Sequence, residues 1–397
     1  MAVPKLRFKA DDGSDYPEWN DFTKLEDISA FITKGATPTT YGFDWQPNGV
    51  YFFRNDCIKN NVFVYGDYSF IAEEANKFLQ RSEVTGGDIV IAITGDIGKV
   101  GLIPSEVKKA NINQHLARVR IVKDAFPYFV YMYLCSDKVQ RTYKKIKTGL
   151  SMPQLSLAQI RDTNIPVVSL PEQQKIAEFL STIDTVIAKQ RETVFAWEER
   201  KKGVMQKLFS QEVRFKADDG SDFPEWEKKK LEDVVEFLDG QRKPLEAGQR
   251  VSGKYPYYGA SGIIDYVEDY IFDEELILLS EDGANILDRN YRVCFLAKGK
   301  YWVNNHAHVL RAMDGNANGF ICEQLESFDY RKYNSGGAQP KLNQATCRAI
   351  IMNIPCLEEQ QKIADCLSSL DEVIEKQKAT LAAWEELKKG LLQQMFV

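Results

Sequence analysis

Two long stretches of the chain carry apolar residues at alternating steps of four and three, which is the spacing of a heptad seam on an α-helix. Eight of the ten positions in the first seam are apolar, and its members are Ile176, Leu180, Ile183, Ile187, Gln190, Val194, Trp197, Lys201, Val204 and Leu208. Eight of ten are apolar again in the second seam, which contains Ile363, Leu367, Leu370, Ile374, Gln377, Leu381, Trp384, Lys388, Leu391 and Met395. Glutamine, tryptophan and lysine fall at the same places in both, so the pattern predicts two equivalent long helices.

Each predicted helix is about 37 residues, or roughly 55 Å at the α-helical rise. Pro171 suits the first turn of the first helix, and Glu172, Glu358 and Glu359 favour the positive end of a helix dipole. An apolar seam of this length predicts that the two helices pack on each other, with the matched Gln and Lys fixing the register. A two-fold relation between the halves would make them antiparallel. The alternative is that each helix packs only on its own globular part.

The helices close two copies of a larger repeat. Residues 7–19 read RFKADDGSDYPEW and residues 214–226 read RFKADDGSDFPEW, which differ only at Tyr16 and Phe223. QQKIA likewise occurs at 173–177 and at 360–364. The chain is therefore a short constant part, a variable globular part and a constant helix, all present twice, which suggests one frame that carries two different readers. Matching coding DNA at the two blocks would also allow exchange of the variable parts by recombination, which is a hypothesis.

The two variable parts have the pattern of mixed strand and loop with some helix. Strand signals lie at 88–94, 117–122 and 276–280, separated by glycine-containing turns. Weak parallels connect the two parts: LED at 25–27 and 231–233, and NQH at 113–115 against NNH at 304–306. These parallels predict one fold with two different surfaces.

Composition restricts the function classes. At 397 residues the chain suits two or three domains, and it has no apolar run of the roughly 20 residues that a membrane helix needs. Its start lacks the apolar core of a signal peptide. Seven scattered cysteines without a C-x-x-C pair suit a reducing cytoplasm and disfavour disulfides or structural zinc. The net charge of -6 disfavours nucleic acid when taken alone, although local patches or a partner can supply positive surface.

Catalytic signatures are missing from the sequence. It has no dinucleotide-binding glycine motif, no Walker loop and no N-P-P-Y or D-P-P-Y loop of amino-methyltransferases. His306 and His308 would share one face of a strand as a metal pair, but no cysteine or carboxylate pattern completes the site, so ordinary polar positions are the preferred interpretation and no metal is expected. The pattern is that of a binding protein rather than a catalyst.

Several polar and basic positions are candidates for contact with nucleic acid. A basic run at 138–147 without acidic residues could follow phosphates, and a solvated helix face is the alternative. The loop 34–40 is small and polar, 241–243 occupies the matching place, and Asn and Gln side chains can pair with adenine, although exposed Asn is more often a turn residue. The candidates in the first part are Lys34, Thr37, Thr39, Arg54, Lys99, Asn113, Gln114, Lys144, Lys145 and Lys147. Those in the second are Arg242, Lys243, Tyr258, Asn285, Asn304, Asn305 and Lys341.

The ordered motifs resemble one known family. A loop with Gly and Pro, a G-D-I strand with a G-x-x-G turn, an Ile-Pro pair and then LPEQQKIAEFLSTID at 170–184 follow one another, and CLEEQQKIADCLSSLD at 356–371 repeats the last element. This arrangement resembles the specificity subunit of type I restriction–modification systems over essentially the full length. The second copy departs at Cys356-Leu357, where the proline-containing entry is shortened.

The resemblance implies an α+β protein with two mixed α/β target recognition domains, separated by two long helices that pack as an antiparallel coiled coil with pseudo-two-fold symmetry. The segments would be 1–19, the first recognition domain 20–165, the central helix 166–210, a repeated linker 211–226, the second domain 227–355 and the C-terminal helix 356–397. Each domain would read one half of a split target in double-stranded DNA.

The resemblance also implies that the helices dock two methyltransferase subunits, which restriction subunits join. S-adenosylmethionine, ATP and Mg would then act in those partners, and this cytoplasmic chain would be non-catalytic. Two alternatives stay open at this point: an enzyme that acts alone, and a coiled-coil scaffold that binds protein or sugar.

Overall fold

The computed structural model describes residues 4–122, 124–149 and 151–396, so the outermost residues of the predicted segments 1–19 and 356–397 lie outside it. The chain divides into unit 1, Met1–Gln190 with Thr380–Val397, and unit 2, Arg191–Ala379. Both boundaries fall inside the two long helices, so each unit contains a part of both helices.

Short strands form most of the globular part of unit 1. They are β1 (Phe22–Lys24), β2 (Ser29–Lys34), β3 (Val50–Phe53), β4 (Ile58–Lys59), β5 (Val62–Phe63), β6 (Ser69–Ile71), β7 (Glu83–Val84), β8 (Ile89–Ala92), β9 (Val100–Leu102), β10 (Ala110–Ile112), β11 (Leu116–Ile121) and β12 (Asn164–Pro166). These strands form two four-stranded sheets, ordered β2-β11-β8-β9 and β6-β3-β10-β7, and two separate two-stranded pairs, β1-β12 and β4-β5.

Unit 2 has its own set of strands. They are β13 (Glu227–Lys230), β14 (Val235–Phe237), β15 (Ser252–Gly259), β16 (Gly262–Val267), β17 (Phe272–Asp273), β18 (Leu276–Ser280), β19 (Cys294–Ala297), β20 (Lys300–Val303), β21 (Ala307–Ala312) and β22 (Ile351–Ile354). The sheets are ordered β14-β21-β18-β19 and β16-β15-β20-β17, and β13 pairs with β22.

The two units share one strand topology. In each, the first sheet is antiparallel, and the second contains one parallel pair, β3 with β10 in unit 1 and β15 with β20 in unit 2. The prediction of one fold for both variable parts is therefore confirmed, and the predicted strands at 88–94, 117–122 and 276–280 are β8, β11 and β18 with slightly shifted bounds.

The helices complete both units. They are α1 (Glu73–Phe78), α2 (Pro127–Cys135), α3 (Asp137–Ile146), α4 (Leu157–Arg161), α5 (Leu170–Phe209), α6 (Asn285–Asp288), α7 (Asn318–Glu326), α8 (Gln344–Arg348) and α9 (Leu357–Met395). Short 3-10 turns lie at Pro38–Tyr41, Asn55–Cys57, Gln80–Ser82, Leu231–Asp233, Asp239–Gln241, Ala247–Gln249 and Tyr330–Lys332. None of the helices in the described ranges is long and apolar enough to cross a membrane.

A continuous apolar run makes β8 and β18 the central strands of their units. Alternate residues of β8 enter two different cores, Ile89 and Ile91 on one face and Val90 and Ala92 on the other. The residues of β18 divide in the same way between two cores. Such a run between turns is typical of a strand buried on both faces. One core of each unit lies against the long helices, and the other lies between the sheets.

The repeated block at residues 7–19 of unit 1 holds the start of α5 in place, and we call these contacts the clamp. Glu172 is completely buried, and its carboxylate accepts hydrogen bonds from Arg7 Nε at 3.0 Å and Nη2 at 2.9 Å, and from the Trp19 indole at 3.0 Å. Arg7 Nη2 also donates to the carbonyl of Pro17 at 2.7 Å, which closes the block on itself. The first and last residues of the motif thus meet on one carboxylate at a helix N-terminus, where negative charge is favoured.

Unit 2 repeats this clamp at the start of α9. Buried Glu359 accepts from Arg214 Nε at 3.1 Å and Nη2 at 2.8 Å, and from the Trp226 indole at 3.0 Å. The hydrogen bond to Glu359 raises the pKa of Arg214. The duplicated blocks therefore have a structural role that the sequence did not reveal: they fasten each long helix to its own unit.

The seam residues of α5 and α9 pack together within unit 1. Ile176, Leu180, Ile183 and Ile187 of α5 are buried in the core that also contacts Leu381, Trp384, Leu391 and Met395 of α9. Asp184 of α5 pairs with Lys388 of α9 at 2.5 Å. The predicted interruption of the seam by lysine is thus matched by a carboxylate on the other helix.

Unit 2 contains the matching arrangement. Ile363, Leu367 and Leu370 of α9 share a core with Val204, Met205 and Leu208 of α5. Lys201 pairs with Asp371 at 2.6 Å, and Glu198 pairs with Lys378 at 3.0 Å. Moving forward along α9 from 371 to 378 therefore means moving backward along α5 from 201 to 198, so the helices are antiparallel. Because the same cores contain globular residues such as Phe129 and Phe320, each helix also packs on its own domain.

The remaining seam positions differ in burial. Val194 and Ile374 are buried. Trp197 and Trp384 are only half-buried: Trp384 packs against the core of unit 1, and the guanidinium of Arg200 lies 5.1 Å from the ring centre of Trp197. Full burial of the two tryptophans is therefore not needed for the helix pairing.

Candidate nucleic-acid interface

Four loops meet at one edge of unit 1, and we call this edge rim 1 (residues 34–40, 94–99 and 113–115, with 148–149 and 151–154). The backbone bonds that join them run from Ile93 N to His115 O (2.9 Å), from Leu155 N to Ile93 O (2.9 Å) and from Gly95 N to Pro153 O (3.0 Å). These loops contain most of the candidate residues of the first variable part, although they are far apart in sequence.

Rim 2 is the same edge of unit 2 (residues 239–243, 281–285, 304–306 and 338–342). Its backbone bonds run from Glu281 N to His306 O (2.8 Å), from Leu342 N to Glu281 O (2.8 Å) and from Gly283 N to Pro340 O (3.0 Å). Each bond has a counterpart in rim 1, so the two edges have the same backbone frame and different side chains.

A close backbone approach fixes the first loop of rim 1. A Cβ on Gly35 would lie 1.9 Å from the carbonyl oxygen of Ile112, so only glycine fits there. The loop then reaches the 113–115 turn, where Thr37 Oγ1 donates to Gln114 Oε1 at 2.6 Å. Two candidates that are 77 positions apart in sequence thus lie side by side.

The side chains of rim 1 and of the adjoining α3 offer an open basic surface. Lys34, Thr39 and Gln114 are exposed on the rim, and Lys144, Lys145 and Lys147 are exposed on α3 and just after it. Gln140 of α3 donates to the carbonyl of Gly98 at 2.8 Å, which fixes α3 beside the rim. Such an arrangement can follow phosphate groups while polar side chains face base edges.

Two basic candidates of unit 1 already have partners. Lys99 pairs with Asp96 at 2.6 Å within its own turn, and this pairing lowers the pKa of Asp96. Arg54 donates to Ser69 Oγ at 2.8 Å, and its guanidinium lies 5.3 Å from the ring centre of Trp45. Nothing in the sequence signalled the contact with Trp45.

Among the candidate lysines, rim 2 exposes two, whereas rim 1 together with the adjoining Lys144, Lys145 and Lys147 exposes four. Lys243, Asn305 and Lys341 are exposed. Arg242 is bound inward, because its Nη1 donates to Glu281 at 2.8 Å and to the carbonyl of Ala307 at 2.7 Å.

Two further candidate residues of unit 2 also contact other residues of the chain. Asn285 exchanges two hydrogen bonds with the backbone of Tyr291, at 3.1 and 2.8 Å. The ring of Tyr258 packs on Phe295 and Tyr301. The exposed candidates of unit 2 thus come from three different loops.

Asn113 and Asn304 have a structural role in the turns of the rims. Both are buried, and each Oδ1 accepts a hydrogen bond from the backbone N–H two residues later, that of His115 at 3.2 Å and that of His306 at 2.8 Å. This is the turn interpretation that the sequence left open. The neighbouring exposed Gln114 and Asn305 are better placed to face a ligand.

A buried charged cluster lies directly under rim 2. His308 is 1% exposed, with Nδ1 2.7 Å from Asp239 and Nε2 2.8 Å from the carbonyl of Leu342. Burial alone would lower the pKa of His308, but hydrogen bonds, chiefly to Asp239, raise it to about 10. Burial would raise the pKa of Asp239, and the bond from His308 and the charge of Arg242 hold it below its ordinary value. Both ring nitrogens face acceptors, which favours the doubly protonated imidazolium.

His306 and His308 do not meet as the considered metal pair. His306 is exposed and lies 2.9 Å from Asp282, whereas His308 is buried against Asp239. Across residues 4–122, 124–149 and 151–396, no group of three or more His, Cys, Asp or Glu side chains is arranged to hold a metal ion.

Comparison with protein families gives one match that covers most of the chain. The family model for the type I restriction modification DNA specificity domain matches residues 17–194 and 224–383. Each matched stretch covers one variable part with part of the long helix that follows it.

Individual relatives agree with that match. The chain is 25% identical to the type I restriction enzyme MjaVIII specificity subunit of Methanocaldococcus jannaschii, over 97% of this chain and 94% of the relative. It is 38% identical to a Haemophilus influenzae protein that carries the name of a type I restriction enzyme specificity subunit, over 37% of each chain. Its fold is similar to a crystal structure of the S subunit of a type I restriction–modification system from M. genitalium, with a TM-score of 0.63, 17% identity and coverage of 100% and 99% of the two chains.

Proposed function

Because the chain belongs to the family of type I restriction–modification DNA specificity domains, we propose that units 1 and 2 each read one half of a bipartite target in double-stranded DNA. The observation that carries the proposal is the duplicated rim: one backbone frame is built twice and carries different side chains in each copy. A frame that holds loops at fixed positions while their side chains differ is suited to reading two different base sequences.

The side chains of the rims support two kinds of contact. The exposed lysines of rim 1 and α3, together with Lys243 and Lys341 of rim 2, would neutralise phosphates, which positions the protein without reading sequence. Gln114, Thr37 and Asn305 offer amide and hydroxyl groups that can bond to base edges. Sequence specificity would thus depend on few residues in each unit.

The long helices would act as a spacer and as docking sites for two methyltransferase subunits. With 40 and 39 residues, α5 and α9 are each roughly 60 Å long at 1.5 Å per residue. That length corresponds to roughly 17 base pairs at 3.4 Å each, enough for half-sites about one or more helical turns apart. The clamps at Glu172 and Glu359 support this role, because they fasten each helix to a reading unit.

Within the proposal, the chain is a non-catalytic subunit of a cytoplasmic complex. Methyl transfer from S-adenosylmethionine would occur in the methyltransferase subunits, and ATP-driven cleavage with Mg would occur in restriction subunits. The sequence gives independent support, since it has no loop of the kind that binds these cofactors.

Selection of DNA by the purified complex tests the proposal. The chain would be mixed with its methyltransferase partner and used to select duplexes from a random pool, and binding would be measured at increasing salt. We expect a bipartite motif and an affinity that falls steeply with salt. If the chain is instead a scaffold for protein or sugar, the selection will yield no motif, and that result would refute the proposal.

A further inference from the structure

We propose that His308 is a positioning residue that holds rim 2 in its reading conformation, so that recognition by unit 2 alone depends on a charged imidazole. This inference rests on the proposed function, because it explains how one of the two reading edges is fixed. It concerns a residue that is buried and does not itself reach the surface.

His308 lies under rim 2 and connects two of its segments, 239–243 and 338–342, to β21. It lies on β21, its Nδ1 donates to Asp239 at 2.7 Å, and its Nε2 donates to the carbonyl of Leu342 at 2.8 Å. Asp239 begins the 239–243 segment, and Leu342 follows Lys341 directly. A carbonyl can only accept, and an ionised carboxylate can only accept, so both contacts require a proton on the ring nitrogen.

The carboxylate of Asp239 adds a second bond to β21 and extends the network to α8. Oδ1 accepts from the backbone N–H of Val309 at 3.0 Å, and Oδ2 also accepts from the side chain of Gln344 on α8 at 2.8 Å. The backbone carbonyl of Asp239 accepts from Arg242 Nε at 3.1 Å, which bends the loop back over the cluster. The exposed Lys243 follows this fixed residue immediately.

The titratable and charged groups around His308 come from every element that packs on it. They are Asp239 and Arg242 from the 239–243 segment, Glu281 after β18, Lys341 from the 338–342 segment and Cys347 from α8. With His308 charged, three cations face two carboxylates. Loss of its proton would leave Nδ1 or Nε2 facing an acceptor without a hydrogen, which breaks one of the two connections.

Among the residues of unit 1 that the structure describes, no such network lies at the matching place. Ala117 pairs with Lys34 across β11 and β2, and by strand register these positions correspond to His308 and Asp239. An alanine cannot hold the loop, and rim 1 instead depends on the close approach of Gly35 to Ile112. The dependence on a charged histidine should therefore affect one half of the target and leave the other as an internal control.

Recognition of each half-site by variants provides the test. Targets selected by the wild-type complex would be altered one base at a time in each half, and binding would be compared for wild type, His308→Gln, Asp239→Asn and the control Lys298→Gln. Lys298 is an exposed lysine paired with Glu275, beside the end of β18 that lies away from rim 2. We expect His308→Gln and Asp239→Asn each to weaken the discrimination between bases about tenfold in one half of the target only. A tenfold loss is the scale of one good base contact. Equal loss in both halves, or no loss in either, would overturn the proposal.

Histidine NMR of the unmodified chain tests the same inference without changing His308. The chain has 3 histidines, so the signals that persist in both His115→Gln and His306→Gln belong to His308. We expect His308 to stay doubly protonated at pH 8, where ordinary histidines are neutral. A neutral His308 at pH 8 overturns the inference. If wild type selects no DNA motif while His308 is charged, the proposed function fails instead, and with it the reading role of the cluster.

Discussion

At the level of single residues, one buried carboxylate explains each copy of the repeated block. Glu172 and Glu359 are inaccessible to solvent. Each is paired with the arginine of a 13-residue motif and accepts a hydrogen bond from the indole of the same motif. A buried charge that is paired and fully hydrogen-bonded is stable, whereas the same charge without its partner is costly. The clamp thus explains why Arg and Trp are the same in both blocks. The exposed part of the block also repeats its contacts, since Asp11 pairs with Lys175 at 2.5 Å and Asp218 pairs with Lys362 at 2.6 Å.

Arg214→Ala should destabilise unit 2 by about 3–5 kcal/mol, because it leaves the buried Glu359 carboxylate with the Trp226 indole as its remaining clamp contact. Hydrogen exchange measured by mass spectrometry reads the two units separately. Lys216→Ala, which removes an exposed lysine 3.3 Å from Asp222, is the matched control and should cost less than about 0.5 kcal/mol. If Arg214→Ala leaves the hydrogen-exchange protection of unit 2 unchanged, the clamp is dispensable.

The His308 pair predicts a pH dependence of stability. The pKa of His308 is about 10 when folded and 6.5 ordinarily, so the folded state binds this proton more tightly. Its contribution is complete below pH 6.5 and is lost as pH rises toward 10. The carboxyls of Asp239 and Glu281 have lowered pKa values, so their contribution is instead lost in acid, below their ordinary values of 3.8 and 4.5.

Urea unfolding at pH 7 and at pH 9.5 would measure the His308 contribution. From pH 7 to pH 9.5, the free energy of unfolding should decrease more for wild type than for His308→Gln, which lacks the titrating group. The same fall in both proteins would mean that His308 does not change its proton affinity on folding.

The basic surface of α3 makes a prediction about salt. Changing Lys144, Lys145 and Lys147 together to Gln should weaken DNA binding for all sequences alike and reduce the slope of log affinity against log salt by about 0.9 per lost phosphate contact. Lys109→Gln serves as the control. Lys109 pairs with Glu73 and lies at the start of β10, whereas rim 1 is at the other end of that strand. An unchanged slope in the triple variant would exclude α3 from the interface.

At the level of elements, the long helices were the most predictable part of the molecule. Their heptad seams, the proline near the first start and the matched lysines were visible in the sequence, and the antiparallel packing is confirmed within unit 2 by the Lys201–Asp371 and Glu198–Lys378 pairs. The helices have 40 and 39 residues, a little more than the predicted length.

Truncation of the seam should cost most where burial is complete. Leu180 and Leu367 hold equivalent positions and are 0% exposed, so each change to Ala should destabilise the protein by about 2–5 kcal/mol. Trp384→Ala should cost less than the 3–5 kcal/mol of a fully buried ring, since Trp384 is half-buried.

Phe195→Ala is the control on the same helix, because Phe195 is 64% exposed and should change stability by less than about 0.5 kcal/mol. Denaturant midpoints compare the variants. A control that costs as much as Leu180→Ala would contradict the assigned seam.

The globular elements were predictable in kind but not in arrangement. The apolar runs of β8 and β18 signalled central strands, because both faces of each are buried. The rims could not be derived, since they bring together loops that are far apart in sequence through backbone hydrogen bonds, such as Ile93 to His115 and Leu155 to Ile93. Backbone hydrogen bonds do not depend on the residue type, so the sequence gives no sign of them. For this reason Gln114 and the buried Asn113 looked equivalent in sequence.

At the level of the whole molecule, one construction is used twice. Each unit has the same pair of sheets, the same rim and the same clamp, and each contributes part of both long helices. The sheets and clamps are constant, whereas the rim side chains differ. Specificity is therefore predicted to be modular: a change of one variable part should leave the other half of the target unchanged.

Replacing residues 20–165 with the variable part of another family member, followed by sequencing of the methylated sites in the host genome, tests this modularity most directly. The unmodified chain, expressed in the same host, provides the reference motif. We predict a bipartite motif in which one half is new and the other is retained. Methylation at a single contiguous motif, or a change in both halves at once, would contradict the account.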